Sequence, residues 1–368
     1  MATATCLEVR RNDLRTHRLT AEPLPDLAAG QALLRVEGFG LSANNVTYGA
    51  TGEALGYWRF FPASEDGWGR IPVWGFAEVE ESRAEGLPTG TRIYGYLPFG
   101  THLVVEPGRV GRHGFTDTAE HRRELPAVYN SYRLVDADPL HDPDAEDVQA
   151  VFFPLFATSF MLEDFLADND DFGAEQIVLS SASSKTSVGV ALCAGRRDGH
   201  RPRLVGLTSP GNAAFVQGLD CYDEVATYDG LEDLPAVPTV YLDMAGDGDL
   251  RSRVHEHFGD QLRHSSAVGL ANWEATPTSK GLPGPKPTFF FAPTQIAKRT
   301  GEWGPAGYQE RLTAAWQDMV GGVRERFRFT QADGLDAAVG VYDDLVEGNS
   351  RPEQAFTVTL TDKQPGEQ

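Results

Sequence analysis

From Gly173 onward the chain alternates short apolar runs with helix-length segments, and this constrains the fold more than any other feature. EQIVLSS (175–181), RLVGLTS (203–209), DEVATY (223–228), TVYLDMAG (239–246) and LRHSSAVGL (262–270) read as strands. Between them, SSKTSVGVALCAG (183–195), GNAAFVQGLD (211–220) and DGDLRSRVHEHFG (247–259) read as helices. Continuous apolar strands separated by helices imply a parallel sheet covered on both faces. That is a doubly wound α/β architecture of the nucleotide-binding type. TFFFAP (288–293) reads as one more buried strand. The rings of Phe289, Phe290 and Phe291 alternate in direction there, so most of them are expected in the sheet core.

The first half has no helical period. Thr3–Arg10, Gln31–Phe39, Trp74–Val79, Thr91–Tyr96 and His102–Val105 read as short strands broken by glycine and proline. Such spacing suggests a small β barrel or sandwich. Residues 107–145 read as polar and irregular. Acidic residues at 144–147 then open a helix through FFPLFATSFMLEDFLA (152–167), where they suit the helix dipole. After a proline- and glycine-rich loop at 274–287 come a helix (308–323), a strand (326–331), a helix (335–348) and a last strand (354–360).

With 368 residues, two domains are expected. Lys and Arg total 32 against 53 Asp and Glu, a net charge of −21. This argues against a nucleic-acid backbone partner, which needs clustered cations, and against an anionic membrane surface. No run of about 18 apolar residues suggests a membrane span, and the N-terminus has no apolar signal core. Cys6, Cys193 and Cys221 are odd in number and far apart, so the expectation is a cytoplasmic protein with free thiols.

Several motifs occur in one order. They are GTRIYGY (90–96), PLFATSF (154–160), QIVLSSASSKTSVGVALCAG (176–195), LDCYDEVATYD (219–229), VYLDMAG (240–246) and LDAAVGVYDDLVEG (335–348). Together they resemble the medium-chain dehydrogenase/reductase superfamily. The SSASSKT turn and the GYWRFFP stretch resemble a zinc-independent, quinone-oxidoreductase-like branch of it. The resemblance implies a GroES-like β-barrel domain from 1–150 with 323–368, and a Rossmann cofactor domain over 151–322. It also implies a homodimer.

In the cofactor turn of such folds, glycines permit a tight turn, close phosphate approach and helix packing. Here the turn is Ser180-Ser181-Ala182-Ser183-Ser184-Lys185-Thr186, and Gly189 is the only nearby glycine. A helix N-terminus is itself an anion site. Ser183, Ser184, Lys185 and Thr186 are therefore candidates to hold a phosphate partly through side chains. The plain alternative is an ordinary strand–turn–helix with a serine cap. The resemblance adds Thr158 beside the nicotinamide, and Ser181, Ser209, Asn212, Tyr228, Gly246 and Gly269 around the cofactor. The strand at 203–209 ends without a carboxylate to hold a ribose 2′-hydroxyl, which favours NADPH over NADH.

Zinc ligands are not expected. Where relatives carry Gly-His-Glu, this chain has Gly75-Phe76-Ala77-Glu78, and phenylalanine cannot ligate a metal. His255 and His257 are expected on the surface. GLSANNVTYGATG (40–52) resembles the substrate-face segment of the superfamily, making Tyr48 the candidate proton donor or carbonyl partner, assisted by Asn45. Alternatively, Asn44 and Asn45 cap a turn and Tyr48 is core. Tyr57, Trp58 and Phe61 are candidate substrate-pocket residues, or barrel core. The reading is an NADPH-dependent reductase of a conjugated carbonyl or quinone. Two alternatives stay open: an inactive nucleotide-binding scaffold, and a non-redox lyase or isomerase.

Overall fold

The computed structural model describes residues 2–268 and 281–360. Its contacts divide the chain into two units, Met1–Val151 with Phe327–Gln368, and Phe152–Arg326.

The first unit begins with a hairpin of β1 (Thr3–Arg10) and β2 (Asp13–Pro23), in register Leu7↔Leu19. The polar, half-exposed β2 has too little apolar alternation to stand out in the sequence. There follow β3 (Ala32–Leu41), α1 (Ala43–Ala50), β4 (Trp68–Arg70), β5 (Pro72–Ser82), β6 (Arg92–Pro98) and β7 (His102–Val105). The stretch read as irregular holds β8 (Gly114–Thr116) and β9 (Ser131–Leu134), which pair antiparallel, and several 3-10 turns. These strands are only three or four residues long, too short for a periodic signal.

The helix α2 (Glu146–Asp168) leads into the second unit. By length and composition it could cross a membrane, yet Phe152, Phe156, Met161, Leu162 and Leu166 are buried in the protein. The second unit then alternates β10 (Gln176–Leu179), α3 (Lys185–Ala194), β11 (Arg203–Thr208), α4 (Ala213–Gly218), β12 (Glu224–Thr227), β13 (Thr239–Asp243), α5 (Gly248–Phe258), β14 (Leu262–Ala267), β15 (Thr288–Phe289) and α6 (Ala292–Arg326). All its strands are parallel, in the order β12-β11-β10-β13-β14-β15. The chain reverses direction across the sheet between β10 and β13, the switch point where doubly wound sheets bind ligands. Successive residues feed opposite faces. Ile177, Leu179, Leu204, Val240 and Leu242 pack on one side, and Val178, Val205 and Tyr241 on the other.

Two sequence expectations need correction here. The TFFFAP segment is not a fully buried strand. β15 has two residues and, among the described strands, pairs with β14 alone at the sheet edge; Phe290 is buried but Phe289 and Phe291 are 36% and 44% exposed. His255 is not a surface residue. It lies on the inner face of α5, bonded to Ser265 Oγ (3.0 Å) and the Pro283 carbonyl (2.9 Å).

The chain ends with β16 (Arg328–Asp333), α7 (Gly334–Glu347) and β17 (Gln354–Thr359). β17 pairs with β3, so the C-terminus completes the sheet of the first unit, β16-β17-β3-β5-β6-β9-β8. Leu34, Val36, Val73, Ile93, Leu97, Tyr342 and Val358 share its core.

Candidate functional site

In the second unit, the turns after β10, β11, β12 and β13 converge at the carboxyl ends of the strands. Ser180 is fully buried, and its Oγ accepts the N–H groups of Met244 (3.0 Å) and Ala245 (3.1 Å), tying the β10 turn to the β13 turn. Ser181 adopts φ +49°, a left-handed conformation that favours glycine. Its N–H donates to Tyr228 Oη at 3.2 Å, beyond β12. Asn212, beyond β11, donates to Ser183 Oγ at 3.2 Å. Gly246 takes φ +67° and its N–H donates to Asp243 Oδ1 at 2.9 Å. Asp243 in turn pairs with the buried Arg251 at 2.7 Å. Thus Ser181, Ser183, Asn212, Tyr228 and Gly246 are gathered in one region of this unit. Ser209 is half-buried at the end of β11, and Gly269 lies outside the described residues.

The hydroxyls of the turn are not all turned outward. Ser184 is the N-cap of α3, its Oγ accepting the Ser187 N–H at 3.2 Å. Ser187 Oγ donates to the Ser180 carbonyl at 3.1 Å. Lys185 is the first residue of α3, where the helix dipole is positive and a cation is unfavourable. Its Nζ lies 5.8 Å from the centre of the Phe152 ring, and burial pushes its pKa down to about 8. An anion placed there would meet the positive helix end and restore the ammonium charge together. The first N–H groups of an α-helix point out of its start by position, so the start of α3 presents donors toward an anion. The residues present fit a phosphate group.

Gly189 keeps one of the three glycine roles. A Cβ there would come within 2.5 Å of Ser159 Oγ on α2. Ser159 Oγ donates to the Thr186 carbonyl at 2.8 Å, so α2 lies against the first turn of α3. Thr158, half-buried, is the neighbouring residue on α2.

The first unit holds an aromatic cluster. Tyr48, on α1, accepts from Trp74 Nε1 at 3.1 Å, and the Asn44 side chain reaches the same hydroxyl. Burial pushes its phenol far above the ordinary tyrosine range. Tyr57 Oη and Tyr129 Oη are 3.0 Å apart. The Tyr48 ring packs 4.7 Å from that of Tyr57. Asn45 has a different occupation from the one its motif suggested. Its Oδ1 accepts the Ser42 N–H (2.8 Å), completing the capping box of α1, and its Nδ2 donates to the Pro72 carbonyl on β5 (2.9 Å). It positions the helix that carries Tyr48. Trp58 is core: its ring fills the space above Gly52 and Gly69, where a Cβ would stand within 2.4 Å of it.

Phe61 lines a cleft of about 230 Å³ with Phe60, Cys6, Glu22, Arg70 and His102. Burial pushes the Cys6 thiol up to about 11, so it is no nucleophile near neutral pH. Phe76, standing at the would-be zinc position, is buried against Tyr94 at 5.1 Å. Among the described residues, no group of three or more His, Cys, Asp or Glu side chains is placed to hold a metal ion.

The fold defines a two-unit α/β protein whose second unit is a Rossmann-like, doubly wound parallel sheet. The chain belongs to the family described as DUF2855, protein of unknown function, matched over residues 39–351. No curated protein matches it in sequence. Its fold is similar to that of CurA from Vibrio vulnificus (14% identity, 99% of this chain and 100% of that one, TM-score 0.60). CurA has also been solved in complex with NADPH. A quinone oxidoreductase from Coxiella burnetii is similar at 12% identity, over 98% of this chain and all of that one, with TM-score 0.59. The yhdH oxidoreductase of Salmonella enterica, solved with NADP, is similar at 14% identity over 97% of this chain and all of that one, with TM-score 0.52. At these identities the likeness is one of fold.

Proposed function

We propose that this protein is an NADPH-dependent, zinc-independent reductase of a conjugated carbonyl or quinone. The convergence of four turns around the start of α3, with Lys185 at its first position, carries the reading. The CurA and yhdH structures, solved with NADPH and NADP, support the same cofactor. The end of β11 supports the phosphorylated form: Ser209 and Asn212 leave room for a 2′-phosphate where a carboxylate would repel it.

Bound NADPH would supply a hydride to the electrophilic carbon of the acceptor. The chain supplies binding and orientation. Lys185, Ser183 and the N–H groups opening α3 hold phosphate; Ser181, Tyr228 and Gly246 shape the surrounding turns. Tyr48 is the candidate partner of the acceptor's oxygen, with Tyr57 and Phe61 as apolar walls. Asn45 holds α1 in place. The Phe76 position supports chemistry without zinc. A cytoplasmic homodimer completes the reading by analogy with the superfamily.

Titration calorimetry with NADPH, NADH and ATP, on wild type and Lys185→Ala, tests it. NADPH should bind tightest and weaken on substitution. Absence of binding by every nucleotide would overturn the reductase reading.

A further inference from the structure

Tyr96 stands at the centre of the aromatic cluster. Its ring lies 4.8 Å from Tyr129, 5.1 Å from Trp74, 5.3 Å from Phe60 and 5.6 Å from Tyr48. The neighbouring phenols are engaged. Tyr48 accepts from Trp74, Tyr57 pairs with Tyr129, Tyr94 donates to the Gln149 carbonyl, and Tyr132 donates to the Tyr96 carbonyl. The Tyr96 hydroxyl is fully buried and has no hydrogen-bond partner among the described residues. A buried O–H left unpaired is destabilising, and phenylalanine would fill the same space without that cost. An unmet donor among flat apolar walls suits a planar ligand with one oxygen acceptor.

We propose that the Tyr96 hydroxyl donates a hydrogen bond to the carbonyl oxygen of a planar conjugated acceptor, in addition to the contact assigned above to Tyr48. For an acceptor to reach it, the half-buried Tyr57 and Tyr129, both on 3-10 turns, would have to part their hydroxyl contact. The proposal rests on the reductase reading for its chemistry. When bound, NADPH would supply the hydride that the acceptor's β-carbon takes up, and the C=C electron pair would move toward the oxygen. Water would then protonate the α-carbon, leaving hydroxide, and the saturated carbonyl would re-form. Tyr96 keeps its proton throughout, because burial holds its phenol far above the ordinary range. Its part is to stabilise the charge that develops on the oxygen.

The experiment is a fluorescence titration of the full chain, free of cofactor, with cyclohex-2-enone, reading tryptophan quenching. It is run on wild type and Tyr96→Phe beside thermal melts, NADPH titrations and NADPH-linked turnover. The expected result is roughly 3- to 10-fold weaker enone binding in Tyr96→Phe, the size of one hydrogen bond. NADPH affinity should be unchanged, kcat lower, and the melting temperature equal or higher. A purely structural tyrosine would lower the melting temperature and leave enone binding alone. Equal enone binding by both proteins, or none by wild type, overturns the proposal. Tyr96-dependent enone binding without any NADPH binding would uphold the contact and overturn the reductase reading instead.

Discussion

Ser159 and Gly189 lock two helices together: Ser159 Oγ bonds the Thr186 carbonyl at 2.8 Å, and a Cβ on Gly189 would come within 2.5 Å of that same oxygen. Gly189→Ala must therefore push α2 from α3 or break the bond. Overpacking of this kind costs about 1–3 kcal/mol. Urea unfolding should report that loss, and weaker NADPH binding should accompany it because the first turn of α3 shifts. Unchanged stability would show that the helices separate freely.

Lys185 should give nucleotide binding a characteristic pH dependence. Burial lowers its pKa from 10.5 to about 8. Below that value folded and unfolded chains both carry the charge, and the destabilisation is complete. Between about 8 and 10.5 only the unfolded chain stays protonated, so stability rises with pH. A bound phosphate raises the lysine pKa again, so binding takes up a proton above about pH 8 and weakens as pH climbs. Calorimetry in buffers of different ionisation enthalpy should detect that uptake, and Lys185→Met should abolish it.

Asn45 and Tyr48 should separate by phenotype. Asn45→Ala removes the capping contact and the bond to the Pro72 carbonyl, and is expected to lower stability by about 1–2 kcal/mol with only a modest change in turnover. Tyr48→Phe leaves the Trp74 N–H without its acceptor and should also lower turnover several-fold. Chemical denaturation paired with steady-state kinetics distinguishes the two. Equal turnover losses would return Asn45 to a direct part in the chemistry.

Asp243 and Arg251 are buried together beneath the β13 turn. Asp243→Ala leaves an uncompensated cation and frees the Gly246 N–H, so a loss of about 3–5 kcal/mol is expected. Guanidinium unfolding measures it. A loss under about 1 kcal/mol would show that water reaches Arg251.

The alternation after Gly173 was enough to specify the parallel sheet, because strands covered on both faces must be apolar along their length. Residues such as Ile177 and Val178 announce opposite faces by their spacing alone. The serine-rich turn was legible too, since its position between strand and helix fixes its place at the sheet's carboxyl edge. The tertiary structure decided the rest. Asn45 was tied to the Pro72 carbonyl 27 positions on, and Trp58 filled the space above Gly52 and Gly69, because the folded chain brought these groups together. Tyr129 joined Tyr57 across 72 positions from a stretch with no periodic signal. The unpartnered hydroxyl of Tyr96 is a property of everything packed around it. Local periodicity reports which face a residue occupies; only packing decides which polar groups are satisfied there.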